Sequence, residues 1–156
     1  MRTMIAIGLV AAALTTPLSA QKLQRINPPL LSTPQTYTHI VRAGTLLFIS
    51  GQVGVKPDGT VVGPGMREQL EQVLANLDVA LKSQNASFAN IAKITIFTTS
   101  IAEFREAADV RAKYFGENKP ASTLVQITQL ANPDYKVEIE AIVVLPTSVS
   151  VTPARD

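Results

Sequence analysis

Three segments of the chain alternate hydrophobic and polar residues with a period of two, residues 37–42, 122–128 and 136–144. This period is typical of strands, because successive side chains of a strand point to opposite faces of a sheet. Two further segments, residues 46–49 and 91–98, are apolar, and the second is rich in the β-branched residues that favour strands. The sequence therefore predicts five strands, of which the first two form a hairpin around a short turn.

Two other segments indicate helices. In residues 66–81 the apolar positions recur at spacings of three and four, and charged residues occupy other positions, which predicts an amphipathic helix. A second helix is predicted from Ser100 to about Phe115, because Ser100 and Glu103 have the spacing of a capping box. The order ββαβαββ predicts an α+β domain with two helices on one face of a mixed sheet. The other face needs a cover, and another copy of the chain is the obvious candidate.

The two ends of the chain differ from this central part. Residues 1–20 have the basic start at Arg2, the uncharged apolar run and the small-residue end of a secretory signal peptide. The run is shorter than the roughly 20 residues that span a bilayer, so we expect cleavage, no membrane attachment afterwards, and a secreted or periplasmic protein. Residues 21–146 then form one domain, which begins with an irregular, proline-containing lead-in at 21–34, and residues 147–156 form a flexible tail.

Composition and charge argue against several kinds of site. There is no cysteine, which excludes disulfides, thiol nucleophiles and thiolate-bound metals. The formal net charge is only +2, and no cluster of lysines and arginines offers the basic surface that a nucleic-acid backbone requires. The single histidine, His39, has no visible partner and no Gly-x-Ser-x-Gly motif is present, which argues against Ser-His-Asp hydrolysis. We therefore expect neither a metal site nor a nucleic-acid partner.

Two carboxylates stand out within an otherwise apolar segment. Glu138 and Glu140 are two residues apart on a predicted strand, so their side chains point to the same face. An acidic stripe facing solvent is the simpler interpretation. If neighbouring subunits cover this face, however, a carboxylate there is partly desolvated and able to orient a water molecule.

A series of short motifs extends over most of the chain. The motifs are Tyr-Thr-His-Ile-Val-Arg-Ala-Gly at 37–44, Leu-Leu-Phe-Ile-Ser-Gly-Gln at 46–52, Gln-Val-Leu-Ala-Asn-Leu at 72–77, Ile-Ala-Lys-Ile-Thr-Ile-Phe at 91–97, Tyr-Phe at 114–115, Pro-Ala at 120–121 and Val-Glu-Ile-Glu-Ala-Ile at 137–142. In this order and spacing they resemble the RidA/YjgF family of reactive-intermediate deaminases. The resemblance implies a chorismate-mutase-like fold and a homotrimer whose sheets form a central barrel, with a small-molecule site at each subunit interface. It also implies hydrolysis of 2-imino acids to 2-oxo acids and ammonia, without a metal or organic cofactor.

The resemblance also assigns roles to individual residues. It implies that Glu138 is the catalytic residue, which positions the attacking water. The substrate-binding residues that it implies are Tyr37, Gly51, Gln52, Ser122 and Leu124. The sequence departs from the family pattern at Ser122, where the family has an arginine that clamps the substrate carboxylate, and at Ala108, where it has an asparagine. Loss of a bidentate arginine removes a contact worth about 1.5–3 kcal/mol, so 2-imino acids are expected to be poor substrates.

Three functions remain open on the sequence. The first is a hydrolase for a small C=N compound, with Glu138 as the base and with Tyr37 and Ser122 shaping the pocket. The second is a trimeric binding protein that has lost catalysis but keeps its cleft for a small ligand. The third, nuclease activity, is the least favoured because no basic groove supports it. The missing arginine is the feature that separates the first two.

Overall fold

Residues 21–146, which the computed structural model describes, form a six-stranded sheet with helices on one face. The elements in chain order are β1 (Gln24–Ile26), β2 (Ile40–Ala43), β3 (Leu46–Val53), α1 (Met66–Lys82), a 3₁₀ turn (Phe88–Asn90), β4 (Ile91–Thr98), α2 (Ile101–Glu106), α3 (Ala108–Phe115), β5 (Ala121–Gln126) and β6 (Val137–Val144). The sheet order is β1-β2-β3-β6-β4-β5, and only β4 and β5 are parallel. The predicted α+β architecture is thus confirmed. The predicted signal peptide and tail lie outside the described residues.

The first part of the chain differs from the sequence-based prediction. The lead-in that was predicted to be irregular contains β1, which pairs antiparallel with β2 and places Arg25 opposite Val41. A strand of only three residues has too few alternating positions to be recognised, and pairing with β2 creates it. The first predicted strand also begins later than expected, at Ile40, so Tyr37 lies in the preceding loop.

The second predicted helix is divided in two at Ala107, whose backbone angles are φ −94° and ψ 18°. Ser100 caps α2 as predicted, because its hydroxyl accepts a hydrogen bond from the backbone N–H of Glu103 at 3.3 Å. At the break, Arg67 of α1 donates to the Glu106 carbonyl at 3.3 Å and binds both carboxylate oxygens of Asp109. These contacts with another helix are tertiary, so the local sequence pattern gave no sign of the break.

Helix α1 forms the centre of the core and packs on β3 and β6. Its inward residues are fully buried at spacings of three and four, namely Leu70, Val73, Leu74, Leu77 and Leu81. They face apolar side chains of the sheet that are equally buried, namely Leu47, Ile94, Ile96, Ile139 and Val143. The predicted amphipathic helix is therefore confirmed.

Two buried amides of α1 tie this helix to the loops that follow β3 and precede β6. The Gln69 side chain donates to the Asp134 carbonyl at 2.8 Å and accepts from the Lys136 N–H at 2.8 Å. The Asn76 side chain donates to the Val53 and Val55 carbonyls at 3.1 and 2.9 Å. Because buried polar groups need such partners, these bonds fix the end of β3 and the loop that leads into β6.

The other face of the sheet, here called the open face, carries no helix. Its exposed apolar side chains are Leu46, Phe48, Val125, Ile142 and Val144, which are between 37 and 46% exposed. Phe48 lies opposite Ile142 and Leu46 opposite Val144 in the β3–β6 pair, so four of them form a continuous patch. Contiguous apolar patches of this kind mark interaction surfaces. Among the residues that the structure describes, no helix is long and apolar enough to cross a membrane.

Candidate functional site

A cavity of about 330 Å³ lies where β3 ends and β6 begins. Its lining residues come from β3, from β6 and from the loops before β2 and β6, and are Tyr37, Ser50, Gly51, Val53, Ala131, Tyr135 and Glu138. We call it the Glu138 cavity. It brings together three of the residues that the sequence proposed for a site: Tyr37, Gly51 and Glu138.

A bulge in β3 brings Gly51 against Glu138. Ile49 pairs with Ala141 and Gln52 pairs with Ile139. Two residues of β3, Ser50 and Gly51, therefore lie opposite a single residue of β6, which is a β-bulge. A Cβ atom on Gly51 would overlap the carboxylate oxygen Oε1 of Glu138 and would lie 2.7 Å from its Cγ. The absence of a side chain at Gly51 therefore makes room for the carboxylate.

Glu138 occupies a half-buried position, while Glu140 on the same strand is exposed. Burial raises the pKa of the Glu138 carboxyl above its usual range, and the nearby Glu140 carboxylate raises it further. Within residues 21–146 no side chain or backbone N–H donates a hydrogen bond to Glu138, so its oxygens are free to accept bonds from a ligand or from water. A carboxyl group with a raised pKa is suited to general acid–base chemistry near neutral pH.

Two tyrosines stand beside this carboxylate. Tyr37 is 49% exposed, and burial of the remainder raises the pKa of its hydroxyl, with smaller contributions from Tyr135 and Glu138. The Tyr37 ring meets the His39 ring edge to face, with 5.4 Å between ring centroids. The rings of Tyr37 and Tyr135 thus line the same cavity as the Glu138 carboxylate.

His39 and Gln52 form a buried support behind the bulge. His39 Nε2 lies 2.7 Å from the Ser32 carbonyl, to which it donates, and its Nδ1 lies 3.3 Å from Gln52 Nε2. Gln52 also donates to the Ser50 carbonyl at 2.8 Å and is only 3% exposed. The side chain of Gln52 is therefore directed towards the protein interior, and it holds the wall of the Glu138 cavity without lining it.

Ser122 and Leu124 lie elsewhere in the single chain, on the edge strand β5. Their partners in the parallel pair are the buried Ile94 and Ile96, so both side chains point to the helical side of the sheet. Glu138 pairs with Phe97 and points to the opposite side. One chain therefore does not bring these two residues to the Glu138 cavity.

Sequence reasoning missed Tyr135 as a residue of the site. It lies in the loop before β6, three positions ahead of Glu138, and the bonds from Gln69 to both neighbours of Tyr135 fix that loop. The available signal was an aromatic residue next to an Asn-Pro-Asp turn and close in sequence to the candidate base. Nothing in the local pattern indicates which way such a loop residue faces.

We expect Gly51→Ala to displace the Glu138 carboxylate and to destabilise the fold by about 1–3 kcal/mol, the usual cost of overpacking. Denaturant unfolding of Gly51→Ala, Glu138→Ala and the double variant measures the effect. In the Glu138→Ala background the overlapping atoms are gone, so the same change at Gly51 is expected to cost much less. An equal loss of unfolding free energy in both backgrounds would show that a side chain at residue 51 does not clash with Glu138.

Comparison with known proteins places this chain in a family. Residues 30–145 match the family described as Endoribonuclease L-PSP. A RutC family protein of Pyrococcus horikoshii is 36% identical over 107 residues, which cover 68% of this chain and 84% of the relative. The human 2-iminobutanoate/2-iminopropanoate deaminase is 31% identical over 109 residues, which cover 69% of this chain and 79% of the relative.

Solved structures show the same relationship. The crystal structure of yeast Mmf1 has a TM-score of 0.75 at 29% identity and covers 80% of this chain and 100% of that chain. The structure of Escherichia coli TdcF with bound serine has a TM-score of 0.70 at 28% identity and covers 78% of this chain and 98% of that chain.

Fold and site together define the class of this protein. It is a mixed α+β domain with a six-stranded sheet, helices on one face, and a carboxylate-containing cavity where the central strand β3 ends and β6 begins. The chain belongs to the RidA/YjgF family, which is the family described as Endoribonuclease L-PSP. The family resemblance inferred from the sequence is thereby confirmed.

Proposed function

We propose that the mature protein is a hydrolase that releases ammonia from small reactive imines, with Glu138 as the base that positions water. The observation that carries this proposal is the half-buried Glu138, to which no group of residues 21–146 donates a hydrogen bond and which faces a cavity that it shares with Tyr37. Support also comes from relatives named as deaminases of reactive intermediates in Arabidopsis thaliana and of 2-iminobutanoate and 2-iminopropanoate in humans.

The reaction needs one base that can return its proton. As the water oxygen bonds to the imine carbon, Glu138 accepts a proton from the water and gives it to the nitrogen, which forms the carbinolamine R₂C(OH)NH₂. Glu138 then moves the remaining hydroxyl proton to the nitrogen in the same way, so that the carbonyl forms, the C–N bond breaks and ammonia leaves. The sum is R₂C=NH + H₂O → R₂C=O + NH₃. The pKa of Glu138 is raised towards neutral pH, which favours the return of the proton to the substrate. The proposed reaction uses neither a metal nor an organic cofactor.

The proposal includes a homotrimer with the ligand bound at the subunit interface. The open face exposes Phe48 and Ile142, and neighbouring copies of the same chain would cover them. Ser122 and Leu124 lie on the edge strand β5, from which they would reach the Glu138 cavity of another copy. After removal of residues 1–20 we place this trimer outside the cytoplasm, in the periplasm or the medium, with no nucleic-acid or membrane partner.

Ammonia release tests this function directly. Purified protein that begins at residue 21 is incubated with imines generated in the assay, from amino acids by an amino-acid oxidase and from amines by a flavin-dependent amine oxidase. Faster ammonia release than in a matched reaction without the protein is expected for at least one imine. If no imine is hydrolysed and a thermal-shift screen still finds a ligand, the protein is the binding protein that the sequence left as the alternative.

We expect the protein to hydrolyse 2-iminobutanoate slowly and Ser122→Arg to raise kcat/KM by about 10–150-fold, which corresponds to a charge-assisted contact of about 1.5–3 kcal/mol. Ser122→Lys is the matched control. It adds the same charge without the planar fork that binds a carboxylate at two points, so its gain is expected to be smaller. Wild-type turnover equal to that of Ser122→Arg would show that the arginine is not required.

A further inference from the structure

The Glu138 cavity has an unusual balance of charge for a site in which a small acid would bind. Of its seven lining residues only Glu138 is ionisable near neutral pH, and none is a lysine, arginine or histidine. Two basic residues close in sequence to the lining residues do not line the cavity. His39 is buried behind the bulge and bonded to Ser32 and Gln52, and Lys136 lines a separate hollow beside Asp134. Ser122, on the edge strand, adds no charge. The part of the lining that this chain supplies therefore carries a net negative charge when Glu138 is ionised.

The free oxygens of Glu138 define the kind of group that fits. Because no donor within the described part of the chain bonds to this carboxylate, it is incompletely satisfied until a ligand or water supplies N–H or O–H groups. Gly51, which has no side chain, makes the room on the β3 side that this carboxylate occupies. A planar cation with two parallel N–H groups matches both carboxylate oxygens at once.

The aromatic rings reinforce this preference. Tyr37 and Tyr135 line the same cavity as the carboxylate, and the faces of aromatic rings attract cations as well as flat apolar groups. A carboxylate-bearing ligand would find here a like charge and two electron-rich rings.

We infer that the ligand of this cavity is a planar, positively charged C=N compound without a carboxylate, of the amidinium or iminium class, held between Glu138 and the two tyrosines. This inference rests on the proposed function, since it names the substrate class of the same site. The protonated nitrogen of such a compound would bond to Glu138, which places the electrophilic carbon next to the base.

Titration of Glu138 gives the inference a pH dependence. The groups that face this carboxyl are Tyr37 and Tyr135 from the loops and Glu140 from the same strand, while its neighbours Val53 on β3 and Phe97 on β4 are uncharged. A cation binds the ionised carboxylate, so its affinity is expected to fall as the pH is lowered through the raised pKa of Glu138. An anion would show the opposite trend.

Three probes of the same shape isolate the effect of charge: benzamidinium, benzamide and benzoate. Their binding to the mature protein at neutral pH is measured by NMR titration, which needs no turnover. We expect benzamidinium to bind about tenfold or more tightly than benzamide, the ratio of one charge-assisted contact, and benzoate to bind most weakly. Glu138→Gln is expected to remove the difference between benzamidinium and benzamide, and the matched control Glu140→Gln to keep most of it. Tyr135→Leu is expected to weaken benzamidinium and benzamide alike.

The outcomes separate this inference from the proposed function. Benzoate that binds as tightly as benzamidinium, benzamidinium that does not bind at all, or a charge preference that survives Glu138→Gln would each overturn the inference. Ammonia release from a carboxylate-bearing imine alongside any of these results would leave the hydrolase intact with a different substrate class. The expected ranking of probes without any ammonia release would keep the cationic ligand and reject the hydrolase.

Discussion

Glu138→Gln is expected to lower the rate of imine hydrolysis by about 10²–10⁴-fold, the usual contribution of a positioned acid–base group. Glutamine keeps the shape of the side chain but cannot accept a proton from water, so the loss isolates the role of the charge. Steady-state ammonia release by the mature protein measures it. In the wild type the rate is expected to fall as the pH is lowered through the raised pKa of Glu138, and this acid limb is expected to be absent from the residual activity of the variant.

Glu140→Gln is the matched control, because Glu140 has the same chemistry and lies on the same strand face but is exposed and does not line the cavity. It is expected to keep most of the activity and to shift the acid limb slightly downwards, since the Glu140 charge raises the pKa of Glu138. Equal activity of wild type and both variants would make the two carboxylates structural and favour the binding protein.

Loss of activity in Glu138→Gln is not expected to come from unfolding. The pKa of Glu138 is higher in the folded chain than in the unfolded chain, so its protonated form stabilises the fold at low pH. That contribution is lost as the pH rises through the folded-state pKa, and at neutral pH the ionised carboxylate opposes folding. Thermal unfolding at neutral pH is therefore expected to show an unchanged or higher melting temperature for the variant.

If the protein is the trimer that we propose, Ile142→Lys is expected to convert it into monomers. On a solvent-facing strand this change is nearly neutral, whereas at a buried interface an unpaired lysine costs several kcal/mol in each subunit. Ile142 is 38% exposed in the single chain and lies opposite Phe48 in the patch of the open face. Sedimentation of the mature protein at micromolar concentration measures the mass of both forms.

Ala112→Lys provides the control, because it adds the same charge at an exposed position of α3, on the helical side of the sheet. Its mass is expected to equal that of the wild type. A wild-type protein that sediments as a monomer would exclude the trimer and, with it, a ligand site shared between subunits.

Elements whose residues interact mainly with their own neighbours could be predicted from the sequence. Helix α1 has its apolar residues at spacings of three and four over about four turns, and a long one-sided pattern of this kind fits few other structures. Strand β6 alternates strictly, and its burial pattern confirms that Glu138 and Glu140 share one face. Strand β1 and the break at Ala107 were missed, because pairing with β2 creates the first and contacts from Arg67 accompany the second.

The candidate site, too, was predictable from the sequence only in part. The family resemblance of the sequence proposed Glu138, Tyr37 and Gly51 as site residues, because they lie in motifs whose order and spacing match the family. Only the tertiary structure showed that Glu138 packs against Gly51 and that Tyr135 lines the cavity. It also showed that Gln52 is bonded to the Ser50 carbonyl behind the cavity wall. These contacts depend on the bulge in β3, which is defined by its pairing with β6, and on the loop before β6, which Gln69 of α1 holds in place. In both cases the interacting segments are far apart in the chain. A local pattern determines which face of its own strand a residue occupies, whereas the packing of the whole domain decides which residues of other elements it meets.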